Sequence, residues 1–149
     1  MVERMAERVL IVEDEILVAL EIEQIVQDAG LDVIAIAADR TEALAAASRC
    51  DIALVDLNLR DGPTGPGIGM ELARRHHVRV IYVTANPAQI GPASNVAIGC
   101  VTKPFDAQCI SAALKLAVAK DFHPEDIAVS GFTPFPAAPG AWRGAESRR

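Results

Sequence analysis

Five short apolar runs, separated by amphipathic stretches, constrain this chain more than any other feature. They are "RVLIV" (8–12), "DVIAIA" (32–37), "DIALV" (51–55), "VRVIYV" (78–83) and "GCVT" (99–102). Their length and β-branched content predict buried strands. Between the first two, Ile16, Leu17, Leu20, Ile25 and Val26 form a helical stripe that Gly30 ends as a C-terminal cap. Asp39, with Glu42 three residues later, predicts a capping-box start for an alanine-rich second helix. A third helix is expected from about Pro66 to Arg75, and Asp106 can cap a last one through "AQCISAALKLAVAK". The stretch "NPAQIGPASNVAIG" differs, because Pro87, Gly91 and Pro92 fall in its opening turns. Each interior proline costs a helix about 3 kcal/mol, so a short or irregular fourth helix is expected. Strands and helices alternating with such short links require a parallel sheet with helices on both faces.

In a parallel sheet all strand ends of one sense share a rim, and ligands bind at that rim in open α/β sheets. The first run here ends in Glu13 and Asp14, the third in Asp56, the fourth in Thr84 and the fifth in Lys103. Asp56 is flanked by apolar residues because its strand is central, and it is charged because it sits at the mouth. Three carboxylates in one crevice repel, each pair by about 3 kcal/mol at ~5 Å and an effective dielectric near 20. A hard divalent cation relieves that repulsion, and Mg²⁺ suits few carboxylates, retained waters and a phosphate oxygen. A carboxylate beside such an ion can attack phosphorus, with Lys103 and the Thr84 hydroxyl holding the phosphoryl oxygens. Taken singly these residues read as helix caps, dipole partners or surface charges; five in order on four strand ends read as a site.

A formal net charge of −6 disfavours nucleic acid and anionic membrane as partners, and no apolar run reaches the length of a membrane span. Cys50, Cys100 and Cys109 are odd in number and form no Cys-x-x-Cys pair, so they read as buried thiols of a reducing, cytoplasmic protein. After Lys120 the composition turns rich in proline and aromatic residues, with no periodicity that supports a second core. Residues 1–120 are therefore expected to form one domain and residues 121–149 an extension without a domain of its own.

"VLIVEDE", "LVDLNL", "VIYVTAN" and "VTKPF" resemble the receiver domain of two-component response regulators over about residues 7 to 120. That resemblance implies a flavodoxin-like, doubly wound sheet of five parallel strands in the order 2-1-3-4-5. It implies Asp56 as the phospho-acceptor, and Glu13, Asp14 and Asp56 with the backbone carbonyl of Asn58 as Mg²⁺ ligands. Thr84 and Lys103 would contact the phosphoryl group, small Ala85 would leave its path open, and the Lys103–Pro104 peptide would be cis. The expected partner is a sensor histidine kinase or a histidine phosphotransfer protein, with the domain a signalling module rather than an enzyme. The chain reads as a stand-alone regulator lacking a DNA-binding domain, whose output runs through protein contact, or as a relay or phosphate sink. "RDGPTG" after the acceptor is similar to receivers that work with alphaproteobacterial sensor kinases, including light- and stress-responsive ones.

The departures from the pattern are specific. Cys100 stands where receivers usually carry the Tyr or Phe that moves inward on phosphorylation, and Arg60 stands where a proline is common. Tyr82 is a candidate replacement for the missing aromatic, against a plain core role. The aromatics Phe122, Phe132, Phe135 and Trp142 are expected to include some that pack on the fourth and fifth strand–helix units. Two other readings compete. A pseudo-receiver would bind without being phosphorylated. A haloacid-dehalogenase-type phosphatase would need a second Asp two residues after the first as general acid/base, and Asn58 occupies that position.

Overall fold

The computed structural model describes residues 6–119 and 129–136. Its strands are β1 (Arg8–Val12), β2 (Asp32–Ala37), β3 (Ile52–Asp56), β4 (Arg79–Thr84), β5 (Ala97–Thr102) and β6 (Phe132–Pro134). The helices are α1 (Ile16–Asp28), α2 (Arg40–Ala45), α3 (Gly65–His76) and α4 (Ala107–Val118). The sheet order is β2-β1-β3-β4-β5-β6, with every pair parallel except β5–β6.

The pleat sorts each apolar run onto two faces. Val9 and Ile11 of β1, Ile52 and Leu54 of β3, and Ile81 and Val83 of β4 pack with Ala19, Ile22 and Val26 of α1 and with α4. Their neighbours Leu10, Val12, Ala53, Val55, Val80 and Tyr82 pack on the other face with Ala43 of α2 and Ile68 and Leu72 of α3. Both faces are covered, which is why the central runs are apolar throughout instead of alternating with polar residues. Asp39 caps α2 by accepting the Glu42 N–H at 2.9 Å, while Glu42 Oε1 accepts the Ala38 N–H at 2.8 Å. The helix is shorter than its alanine content suggests; a 3₁₀ turn (Ala47–Arg49) completes the crossover.

Between β4 and β5 the chain runs in 3₁₀ turns, Pro87–Val96, kinked at Gly91 (φ 57°, ψ −139°). This is the irregular fourth crossover that its prolines predict. Four α-helices and this segment thus wrap the parallel strands.

The sheet has a sixth strand that the sequence reading does not contain. Val101 pairs with Phe132, Cys100 with Thr133 and Gly99 with Pro134. The segment is short, holds a proline and has no period-2 pattern to mark it. Gly99 makes room for it, because a Cβ there would stand 2.6 Å from the Thr133 carbonyl oxygen and 2.7 Å from the Phe132 ring. Phe132 is buried with Val101, Cys109 and Ala113, and Phe135 packs against the opposite core. Part of the extension therefore covers the fourth and fifth units as expected; Phe122 and Trp142 lie outside the described residues.

Candidate functional site

Four strands end on one rim, and each delivers a polar side chain to it. Among the described residues the buried polar or charged side chains are Glu13, Asp56 and Thr84, at 2%, 8% and 1% exposure, and all three lie on this rim. Burying such groups costs several kcal/mol unless partners compensate, so their clustering needs a chemical reason.

The partners are specific. The Glu13 N–H donates to the Ala37 carbonyl at 2.8 Å, which extends the β1–β2 ladder by one residue and fixes the Glu13 backbone. Lys103 N–H donates to the Thr84 carbonyl at 2.9 Å, which extends β5 in the same way. Lys103 Nζ lies 2.9 Å from Glu13 Oε1 and 3.1 Å from Asp56 Oδ2, so one ammonium bridges two buried carboxylates. The Lys103–Pro104 peptide is cis, as the resemblance implies. Asp56 Oδ1 accepts the Leu57 N–H at 2.7 Å, Glu13 Oε2 the Glu15 N–H at 3.1 Å, and Thr84 Oγ1 the Asn86 N–H at 3.0 Å. Gly65 opens α3 directly against the end of β3: a Cβ there would meet the Asp56 carbonyl oxygen at 2.1 Å.

Burial pushes the Glu13 carboxyl above the ordinary carboxylate range, and the Lys103 hydrogen bond offsets only part of that. For Lys103, burial alone would favour the neutral amine, but the hydrogen bonds and charges of Glu13 and Asp56 outweigh it and raise its pKa. The ammonium is thus the resident counter-charge of the site.

One oxygen from each of Glu13, Asp14 and Asp56 lies within 4.8 Å of the others. Asp14 is exposed while the other two are buried, so the cluster opens to solvent on one side. All three donors are hard carboxylate oxygens, and one cation cannot neutralise three of them. The set fits Mg²⁺, which takes few protein ligands and keeps waters.

Sequence-predicted residues Glu13, Asp14, Asp56, Thr84 and Lys103 therefore meet at one mouth, with exposed Ala85 beside it. Asn58 lies two residues beyond Asp56, and its side chain turns to Gln89: Asn58 Nδ2 donates to Gln89 Oε1 at 3.1 Å, and Gln89 Nε2 donates to Asn58 Oδ1 at 2.8 Å. Gln89 is the residue that sequence reasoning misses, since nothing in its local pattern marks a partner 31 positions away. Tyr82 is a core residue, fully buried, with its hydroxyl donating to the Pro66 carbonyl at 3.2 Å. It holds α3 and does not reach the mouth. Cys100 is buried and burial pushes its thiol up to about 11, so it is an unreactive core group. Arg60 exchanges the family's proline for ion pairs with Asp39 (2.5 Å) and Glu42 (3.3 Å), which tie the loop after Asp56 to the start of α2.

Comparison with known proteins agrees with this geometry. The family model described as response regulator receiver domain matches residues 9–115. The Phyllosphere-induced regulator PhyR of Methylorubrum extorquens is 36% identical over 119 residues, covering 76% of this chain and 44% of that protein. The chain thus spans less than half the length of this curated relative. The solution structure of the PhyR response regulator REC domain of Erythrobacter litoralis superposes with a TM-score of 0.71 at 30% identity, covering 84% of this chain and 98% of that one. The anti-anti-sigma factor PhyR from Bartonella quintana follows at a TM-score of 0.66 and 30% identity, with 78% of this chain and 49% of that chain covered.

Proposed function

The chain belongs to the response regulator receiver domain family, and we propose that it accepts a phosphoryl group on Asp56 from a phosphohistidine of a partner protein. It is a signalling domain rather than a conventional enzyme. The observation that carries the acceptor assignment is that, among the described residues, buried polar side chains are confined to the rim, with one ammonium shared between Asp56 and Glu13.

In the step proposed, a carboxylate oxygen of Asp56 attacks phosphorus in line with the phosphohistidine nitrogen. The P–N bond breaks as the P–O bond forms, and the leaving imidazole keeps the electron pair and takes up a proton. Lys103 balances charge that moves onto the phosphoryl oxygens, and the Thr84 hydroxyl, which already accepts from Asn86, keeps its proton free to donate. The Leu57 N–H holds the second oxygen of Asp56 and so aims the carboxylate. Glu13, Asp14, Asp56 and the Asn58 carbonyl would hold Mg²⁺, and the ion would supply charge neutralisation between carboxylates and phosphoryl oxygens.

Docking of the donor is supported by the surface next to the mouth. Ile16, Leu17 and Leu20 on α1 are 59%, 79% and 45% exposed, an apolar stripe that no other described residue covers. A concavity of about 290 Å³ lined by Val18, Glu21, Ala85, Lys103, Pro104 and Phe105 adjoins it. An apolar helix face on a kinase or phosphotransfer protein fits such a stripe and would carry its histidine to Asp56. For output, the likeness to a protein named an anti-anti-sigma factor favours a protein target. No helix among the described residues is long and apolar enough to cross a membrane.

Incubation with a small-molecule phosphodonor and Mg²⁺, followed by intact-mass measurement, tests the reading. One added phosphoryl group, lost in Asp56→Asn, is the expected result. A stable phosphoryl group on the Asn variant refutes Asp56 as acceptor, and an unmodified wild-type protein favours the pseudo-receiver.

A further inference from the structure

We propose that Gln89 is a positioning residue that couples the state of Asp56 to the irregular segment Pro87–Val96, through its reciprocal amide pair with Asn58. The inference rests on the phospho-acceptor reading and supplies what the missing aromatic at position 100 leaves open.

The loop after Asp56 is tied down almost entirely on one side. The Leu57 carbonyl accepts the Gly65 N–H at 3.0 Å, and Leu59 and Gly62 exchange two backbone hydrogen bonds of 2.9 Å. The Arg60 N–H donates to the Ala38 carbonyl at 3.2 Å, and Asp61 accepts from Thr64 Oγ1 at 2.7 Å and the Arg40 N–H at 3.1 Å. Apart from the Leu59–Gly62 pair, which closes the loop on itself, these anchors lead to α3 or to the β2–α2 side. Asn58 is the exception: its side chain crosses the mouth to the segment after β4.

That segment has two hydrogen-bonded ties to the site, and they arrive from different strands. The Asn86 N–H reaches Thr84 Oγ1 at the end of β4, and Gln89 reaches Asn58 just past the end of β3. The segment packs Ile90, Ala93 and Val96 into the core, but its backbone ladder is weak, since its turns are 3₁₀, Pro87 and Pro92 donate no backbone hydrogen bond, and Gly91 breaks the helical path. A phosphoryl group on Asp56 adds three acceptor oxygens at this mouth. The Thr84 hydroxyl must turn towards them, and the backbone at Asn58 must adjust to the enlarged side chain two residues before it. Both movements reach the segment at its start, one at Asn86 just before it and one at Gln89 within its first turn. A rigid amide pair transmits the second one; a side chain without hydrogen bonds does not.

The pair also has the strength that a switch requires. Two neutral, partly exposed hydrogen bonds bias an equilibrium by roughly a factor of ten to thirty, enough to hold one arrangement and small enough for a phosphoryl group to reverse. Cys100 contributes nothing comparable, because its small buried thiol bonds only to the neighbouring Val101 carbonyl.

The test uses the whole chain, phosphorylated by a small-molecule phosphodonor with Mg²⁺, and reads amide exchange across residues 87–96 beside intact mass. Gln89→Leu keeps bulk and removes both hydrogen bonds; Gln89→Glu keeps only the acceptor. In the unphosphorylated protein, exchange over the segment is expected to be about fivefold or more faster in Gln89→Leu, with Gln89→Glu between it and wild type. Phosphorylation is expected to change exchange there in wild type and to change it at least threefold less in Gln89→Leu, while both proteins gain the same mass. An equal phosphorylation-induced change in the two proteins overturns the coupling. A wild-type protein that gains no mass refutes the acceptor reading instead. In that case equal exchange of unphosphorylated wild type and Gln89→Leu also overturns the pair as a tether, and faster exchange in the variant upholds it.

Discussion

Replacing Lys103 by Met should expose how the site is held together. The methionine keeps most of the stem volume and removes the ammonium that sits 2.9 Å from Glu13 Oε1 and 3.1 Å from Asp56 Oδ2. At an effective dielectric near 20 each contact carries about 5 kcal/mol of Coulomb energy, most of it cancelled by the cost of desolvating the ions. Removing one partner of a buried pair typically costs about 3–5 kcal/mol. The Lys103 side chain keeps 18% of its surface exposed, which brings the expected loss to just below that range, ~2–3 kcal/mol near neutral pH.

The loss should depend on pH, and its sign follows from Glu13. Its carboxyl is raised in the folded protein by burial, with Lys103 holding the rise in check. A carboxyl raised on folding contributes stability that is fully present below its unfolded pKa and lost as pH rises through its folded value. Taking Lys103 away raises Glu13 further, so the variant suffers most at neutral pH and recovers as Glu13 protonates. Lys103, itself raised, contributes its full share at neutral pH because that lies far below its unfolded value. Urea unfolding of metal-free wild type and Lys103→Met at about pH 7 and about pH 4.5 measures this, with the gap expected to fall to ~1 kcal/mol at the lower pH. A gap that is absent, or equal at both pH values, would refute the assignment of Lys103 as counter-charge of the buried carboxylates.

Asp14→Asn should leave the fold intact, weaken Mg²⁺ binding by at least tenfold in a metal titration and raise metal-free stability slightly, since one carboxylate leaves a repulsive cluster. Leu17→Asp should slow phosphotransfer from a cognate histidine donor while phosphorylation by a small-molecule donor proceeds at the wild-type rate, because it alters the α1 stripe and no site group. Gly99→Val should displace β6: the added Cβ meets the Thr133 carbonyl and the Phe132 ring, a clash of about 1–3 kcal/mol read as a lower urea midpoint and faster exchange at residues 132–134. Tyr82→Phe should cost about 1 kcal/mol through the lost hydrogen bond to Pro66 and leave phosphorylation unchanged.

Much of the sheet and rim was legible because both depend on short-range pattern. A run such as Ile52–Val55 is apolar at every position because the pleat sends alternate residues to two covered faces, and this forces the parallel, doubly wound reading. Strand ends in such a sheet share a rim, so Glu13, Asp14, Asp56, Thr84 and Lys103 could be brought together before any coordinates. The irregular fourth crossover was legible from Pro87, Gly91 and Pro92 for the same local reason. β6 was not, because three residues with a proline carry no strand period, and its only trace is Gly99 in a neighbouring strand, whose missing side chain makes sense once Phe132 lies across it. The Asn58–Gln89 pair escaped as well. Two amides in exposed loops have no sequence signature, and which loops face each other is decided by the folded sheet.

The fold also limits where a response to phosphorylation can occur. Asp56 terminates a strand whose residues Ile52–Val55 are at most 1% exposed, flanked by Val9–Val12 of β1 and by Val80, Ile81 and Tyr82 of β4, which are equally enclosed. Close-packed strands of this kind do not deform continuously, so an added phosphoryl group displaces what borders the mouth and leaves the sheet below it in place. On the Glu13 side the border is α1, which is a full helix docked on its own core through Ala19, Ile22 and Val26. On the Asn58 side the loop is pinned to α2 by Arg60 and to α3 by Gly65. The remaining border is the 3₁₀ segment, kinked at Gly91 and facing a groove of about 270 Å³ that Cys100, Thr102, Thr133 and Phe135 line with Pro87 and Ile90. An aromatic ring at position 100 would add bulk to that groove; the thiol leaves it open, and β6 closes its far side at the sheet edge. The segment therefore has room to move, a weak internal ladder and two hydrogen-bonded ties to the acceptor's surroundings. The segment docks on the core through Ile90, Ala93 and Val96, as α1 does through its own residues, but it lacks a regular helical ladder and ion pairs, and this is why the proposed response to phosphorylation is placed there.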